Sequence, residues 1–134
     1  MSAAPVLETR RKVVAALRAD SGLLALVPAA QIFGEKSQSS SWPFLRCSEF
    51  EGEPLFRVIG NVHAFSRTAF ADEAHQLIEA AGNALDGAVL VLADGRKAHV
   101  RVTSSRMLAD PEESTAWHGI LSIAAEIPKD CTGA

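Results

Sequence analysis

Between Phe56 and Gly87 the apolar residues change period from two to between three and four, and no other stretch constrains the fold so tightly. Val58, Val62 and Ala64 alternate with Ile59, Asn61, His63 and Phe65, as in a strand with one face buried. Beyond Ser66, the residues Ala74, Leu77, Ile78, Ala81 and Leu85 fall on a single helical stripe. Asp72 and Glu73 stand where the positive end of a helix favours carboxylates, and Gly87 follows the last turn. One strand is therefore expected to feed one helix, with the helix entry between Ser66 and Asp72.

The flanking segments supply the rest of a fold. From Pro5 to Ala19, Val6, Val13, Val14 and Leu17 share one side while Glu8, Arg11, Lys12 and Arg18 take other angles, which predicts an amphipathic helix. Pro5 suits the first turn, where a missing N–H costs nothing, and Ser21-Gly22 reads as the stop. Leu23 to Val27 reads as a short turn before Pro28. The segment from Gly34 to Ser41, GEKSQSSS, has no apolar side chain to give to a core and reads as an exposed, mobile loop. A first strand is expected from about Trp42-Pro43, ending at the break Glu51-Gly52-Glu53-Pro54. Asp94-Gly95 between Val89–Leu92 and Ala98–Val102 predicts a β-hairpin, because both residues tolerate positive φ. A last pairing joins Arg101–Leu108 to Thr115–Ile127, with Leu121, Ile123 and Ile127 on one face and residues from Pro128 onward frayed. The sum is an α+β fold, a mainly antiparallel β-sheet with two α-helices packed on one face.

Composition limits what such a domain can do. With 134 residues, 48% of them hydrophobic, the chain suits one domain spanning 1–134. A net charge of −3 gives no overall attraction to nucleic-acid phosphates, which argues against a dedicated DNA binder. Cys47 and Cys131 are too few and too far apart for a disulfide framework or a metal quartet, so reduced thiols are expected. Arg10, Arg11 and Lys12 break up the N-terminal apolar positions, and no apolar run approaches the roughly 20 residues of a membrane span. The expectation is a soluble, unexported protein.

Chemical motifs are sparse. Phosphate-binding, dinucleotide-binding, zincin and nucleophile-elbow signatures are all missing. His75 and Glu79 lie one helical turn apart, a spacing open to a metal but equally to an exposed pair. His63, His99 and His118 converge only if their strands are neighbours, and histidines scattered on a sheet more often pack or face water. A serine nucleophile would need a base and an oxyanion hole that spacing cannot reveal. Arg10, Arg11, Lys12 and Arg18 are either a solvated helix face or a contact for phosphate or partner. Trp42 and Phe44 either anchor a partner or fill the core.

Four stretches together carry a resemblance: ALRADSGLLALVPAAQIF after the opening helix begins, Trp42-Pro43-Phe44, VHAFSRTAFADEAHQLIEAAGNAL, and the closing ESTAWHGILSIAAEI. From about Leu7 to Ile127 the chain resembles the tail-completion, or tail-terminator, proteins of long-tailed phages, prophages and gene transfer agents. The resemblance implies a six-membered homo-oligomeric ring at the head-proximal end of the virion tail, assembled in the bacterial host cytoplasm. That ring would stop tail polymerisation and meet both the tail tube protein and a head–tail connector protein. It also implies that DNA passes without specific binding, and that no reaction, cofactor, metal or membrane is involved. The family has no catalytic residues to carry over, so contact positions are read from this chain. They are the loop Glu35, Lys36, Ser37, Gln38, Ser39, Ser40, Ser41 with Trp42, and the hairpin tip Asp94, Gly95, Arg96, Lys97. The alternatives are a head–tail connector or stopper protein, a small metal-dependent hydrolase using the three histidines, and a nucleic-acid adaptor using Arg10 to Arg18.

Overall fold

The computed structural model describes residues 5–34, 42–54, 56–68, 70–109 and 116–128. Its elements in chain order are α1 (Val6–Arg18), α2 (Ser21–Leu24), a 3-10 turn (Ala29–Gln31), β1 (Ile32–Phe33), β2 (Phe44–Glu53) and β3 (Arg57–Ser66). There follow α3 (Asp72–Leu85), β4 (Val89–Val91), β5 (Lys97–Ala109) and β6 (Trp117–Glu126). The strands form one curled sheet in the order β1-β2-β3-β6-β5-β4, antiparallel except for the β1–β2 pair. The expected α+β class and the two main helices are thus observed.

Both helices press into the same face of the sheet. The stripe read from the sequence, Ala74, Leu77, Ile78, Ala81 and Leu85, is the buried side of α3, and Val13, Val14 and Leu17 are buried on α1. They meet Leu45 and Cys47 of β2, Val58 and Val62 of β3, and Leu121 and Ile123 of β6. Each large apolar side chain removed from water in this way contributes roughly 1.5–3 kcal/mol. Burial pushes the Cys47 thiol up to about 12 against the opposing pull of Arg18 and Arg10, so it packs here as a small neutral hydrophobe.

α1 is tied to both margins of the sheet. In its first turn a Glu8 carboxylate oxygen accepts from the Ala93 N–H beside the β4–β5 turn. In its last turn the Arg18 guanidinium donates to the Ile32 carbonyl of β1, from Nε at 3.0 Å and again from Nη2. One helix therefore bridges the two edge strands, β1 and β4, and the sheet curls around the helical layer.

Several sequence expectations shift in detail. Pro5 is the N-cap residue rather than part of the first turn, and its carbonyl accepts from the Thr9 N–H at 2.9 Å. Ser21-Gly22 does not stop α1, which ends at Arg18; both residues lie in α2, because Asp20 caps that turn by accepting from the Leu23 N–H at 2.9 Å. The strand expected from about Trp42-Pro43 begins at Phe44, and Glu51–Glu53, expected to break the chain, continues it as β2 by pairing with Ile59, Val58 and Arg57. The β4–β5 hairpin forms as expected, but only Gly95 has positive φ, at 89°. The turn closes through Gly95 N–H to the Leu92 carbonyl at 2.9 Å, with Ala93, Asp94 and Gly95 as a three-residue loop between Leu92 and Arg96. Of the loop expected at 34–41 only Gly34 is described; residues 35–41, the turn after Ala109 and the tail after Pro128 lie outside the described residues.

Candidate functional site

A sheet has two faces, and α1 and α3 cover only one of these. Among the described residues no element packs on the other. That face begins with a row of direct cross-strand partners, Phe44 on β2, Phe65 on β3, His118 on β6 and Leu108 on β5. Phe65 stacks on Phe44 at 4.7 Å and on His118 at 4.3 Å, while Trp42 meets Phe44 edge-on at 5.1 Å. The Arg67 guanidinium lies 4.3 Å over Trp42, and that of Arg46 lies 5.2 Å over Phe65. Each aromatic pair is worth about 0.5–1.5 kcal/mol beyond area burial. Its outer end remains apolar and wet, since Leu108 is 42% exposed.

Beside this row runs a chain of hydrogen bonds. The register of β2 against β3 slips between Ser48 and Glu51, and Glu49 there adopts a left-handed φ of 58°. The Glu49 carboxylate can only accept, so His63 Nε2 donates to its Oε1 at 2.7 Å, as does Asn61 Nδ2, also at 2.7 Å. Ser122 Oγ donates to Asn61 Oδ1 at 2.8 Å, and His63 Nδ1 lies 2.7 Å from His118 Nε2. Two lines of donors thus converge on one carboxylate. Farther along, Glu53, Arg57, Glu126 and Arg101 form an exposed charge ladder with gaps of 3.2, 4.0 and 3.5 Å, worth little to stability. The open face is therefore aromatic at one end, polar in the middle and charged at the other.

Burial alone would raise the Glu49 pKa, but hydrogen bonds from His63 and Asn61 outweigh it and hold the carboxyl below its ordinary 4.5. A depressed folded-state pKa adds stability above the ordinary value, and that contribution disappears as pH falls through the folded value. Urea denaturation of wild type and Glu49→Gln, taken from neutral pH down through the carboxylate range, is expected to show the steeper acid loss in wild type. Parallel curves would refute the assignment.

Trp42 is half-buried against Phe44 and Arg67, and Phe44 is buried, so it packs as a wall of the aromatic row. Asp94, Gly95, Arg96 and Lys97 form the β4–β5 tip, where Asp94 accepts from the Arg96 backbone N–H at 3.0 Å and from its Nε at 2.7 Å. Those bonds hold the Asp94 carboxyl below its usual range. Glu35 to Ser41 lie outside the described residues. Of the three histidines, His63 and His118 meet, but His99 pairs with Glu126, eight β6 positions from His118 and so about 26 Å away. Both ring nitrogens of His63 are occupied, and no group of three or more metal-ligating residues is set to hold an ion among those described. His75 and Glu79 are exposed on α3. Sequence reading missed Glu49, whose place on this face depends on a register slip that alternation does not show.

These features define a class, an α+β domain whose distinctive parts are surfaces rather than an enclosed pocket. The model of the family "Tail completion protein gp17" matches residues 11–127. The chain belongs to that family, and with it to the structural proteins of phage tails. The fold is shared with a chain in the virion of a native gene transfer agent particle, at a TM-score of 0.74 and 17% identity, over 90% of this chain and 94% of that one. A second solved chain shares it at a TM-score of 0.58 and 12% identity, over 90% and 95% of the two chains. No curated protein matches the sequence.

Proposed function

We propose that this protein is a virion component that caps the finished tail tube as a homo-oligomeric ring, ends tail polymerisation and forms the joint with the head. The observation that carries the reading is family membership across residues 11–127, in a fold where no described element packs on the second sheet face. A capping protein needs surfaces that fit neighbours, and the graded face from Trp42 to Arg101 offers an apolar anchor at one end with charges for register at the other. Glu35 to Ser41 with Trp42, and the tip Asp94, Gly95, Arg96 and Lys97, are the contact points assigned to the tail tube protein, the head–tail connector protein or the next subunit. The net charge of −3 suits a joint that DNA crosses without sticking.

Electron microscopy of particles made without the protein is expected to show overlong or headless tails, restored by supplying the chain in trans. Tails of normal length with heads attached would overturn the reading.

A further inference from the structure

The two long helices carry opposite charge. α1 holds Arg10, Arg11, Lys12 and Arg18 against a single carboxylate, Glu8, which the Ala93 N–H engages. α3 and its C-cap carry Asp72, Glu73, Glu79 and Asp86 and no lysine or arginine. These charges line two separate grooves. A groove of about 590 Å³ along α1 is walled by Arg10, Arg11 and Arg18 with Gly34 after β1, and contains no α3 residue. Another of about 380 Å³ lies between α3, β5 and β6, is walled by His75, Glu79 and Asp86, and contains no α1 residue. Each is large enough for several side chains, and the two share no lining residue.

We infer that the basic flank of α1 docks against the acidic flank of α3 on a second copy of this chain, head to tail. The inference rests on the ring reading above, for which it supplies the subunit contact. Two different, complementary surfaces on one molecule make a heterologous interface, and such an interface closes into a ring when its rotation permits. Like charges would repel if α1 met α1 or α3 met α3, which disfavours the two-fold alternatives built on either helix alone. The engaged groups leave capacity for a neighbour. Arg18 spends Nε and one Nη on the Ile32 carbonyl, and Asp86 spends Oδ1 on the Val102 N–H at 2.9 Å, out of five donors and two acceptor oxygens respectively.

Arg11 and Glu79 are exposed and make the cleanest test, because reversing either charge leaves the core untouched. Arg11→Glu and Glu79→Lys are each expected to weaken self-association roughly tenfold or more in sedimentation at low salt. Each should also lengthen tails when it replaces wild type in particle assembly, with thermal unfolding unchanged. Mixing the two variants one to one restores both readouts, since every contact then pairs an acid with a base. Rising salt should weaken wild-type association, as screening of exposed charges requires. Variants that associate and terminate tails like wild type would overturn this contact while leaving the ring reading intact. A wild-type chain that neither associates nor terminates tails would instead bring down the proposed function itself.

Discussion

Gly119→Ala is expected to cost about 1–3 kcal/mol of unfolding free energy, measured by urea denaturation, because a Cβ there has no room. It would stand 2.5 Å from Ile78 Cγ1 and 3.1 Å from both Ile78 Cδ1 and Met107 Cε. Ile78 is 7% exposed and belongs to the buried stripe of α3, so relief requires moving the helix off β6 rather than swinging a surface side chain. Glycine at this strand position is what lets α3 approach the sheet so closely. Removing the obstacle should rescue the variant: Gly119→Ala combined with Ile78→Ala is expected to lose less than the sum of the two, by more than about 0.5 kcal/mol. Strict additivity, or a Gly119→Ala protein as stable as wild type, would show that helix and strand are not in that contact. Because α3 carries Glu79 and ends on its C-cap Asp86, a displaced helix should weaken self-association as well.

Leu77→Ala is expected to destabilise the fold by about 2–5 kcal/mol. Leu77 is fully buried, at 0% exposure, at the centre of the α3 stripe and against the sheet core. Truncation loses the transfer free energy of the side chain and leaves a cavity in a helix–sheet interface that cannot fully collapse. Leu7→Ala provides the control, since Leu7 is 47% exposed and a surface change of this kind should stay within about 0.5 kcal/mol. Similar losses for the two would mean that the stripe on α3 is not the side that faces the core.

The elements that could be read from sequence share one property, that their signal is local. The alternation through Val58, Val62 and Ala64 and the stripe through Ala74, Leu77 and Leu85 each repeat within one element, so burial followed directly from spacing. Short elements without a period escaped. β1 has two residues and owes its existence to pairing with Leu45 and Arg46, while α2 is one turn set by the Asp20 cap. The continuation of β2 through Glu51–Glu53 was hidden for a related reason. A Glu-Gly-Glu-Pro stretch has turn composition, yet the ladder to Arg57, Val58 and Ile59 overrides that propensity.

For the candidate site the division is sharper. Asn61, His63 and Phe65 could be assigned to one face of a strand from alternation alone. Their partners could not, since Phe44, Glu49, His118 and Ser122 lie 12 to 61 positions away and meet them only through the strand register. Glu49 reaches that face through a bulge and a left-handed backbone, features that no period announces. The charge of each helix was equally plain in the residues, but its meaning was not.

By itself, then, the sequence determined the two main helices, the alternating strands, the turn at Gly95 and the likeness to tail-completion proteins, because propensity and period are properties of neighbouring residues. Only the tertiary structure decided that no described element covers the second sheet face, that an aromatic row crosses three strands and ends on Leu108 of a fourth, that donors converge on Glu49, and that the basic and acidic grooves share no residue. Those depend on register, curl and helix placement, which are set by contacts between residues far apart in the chain.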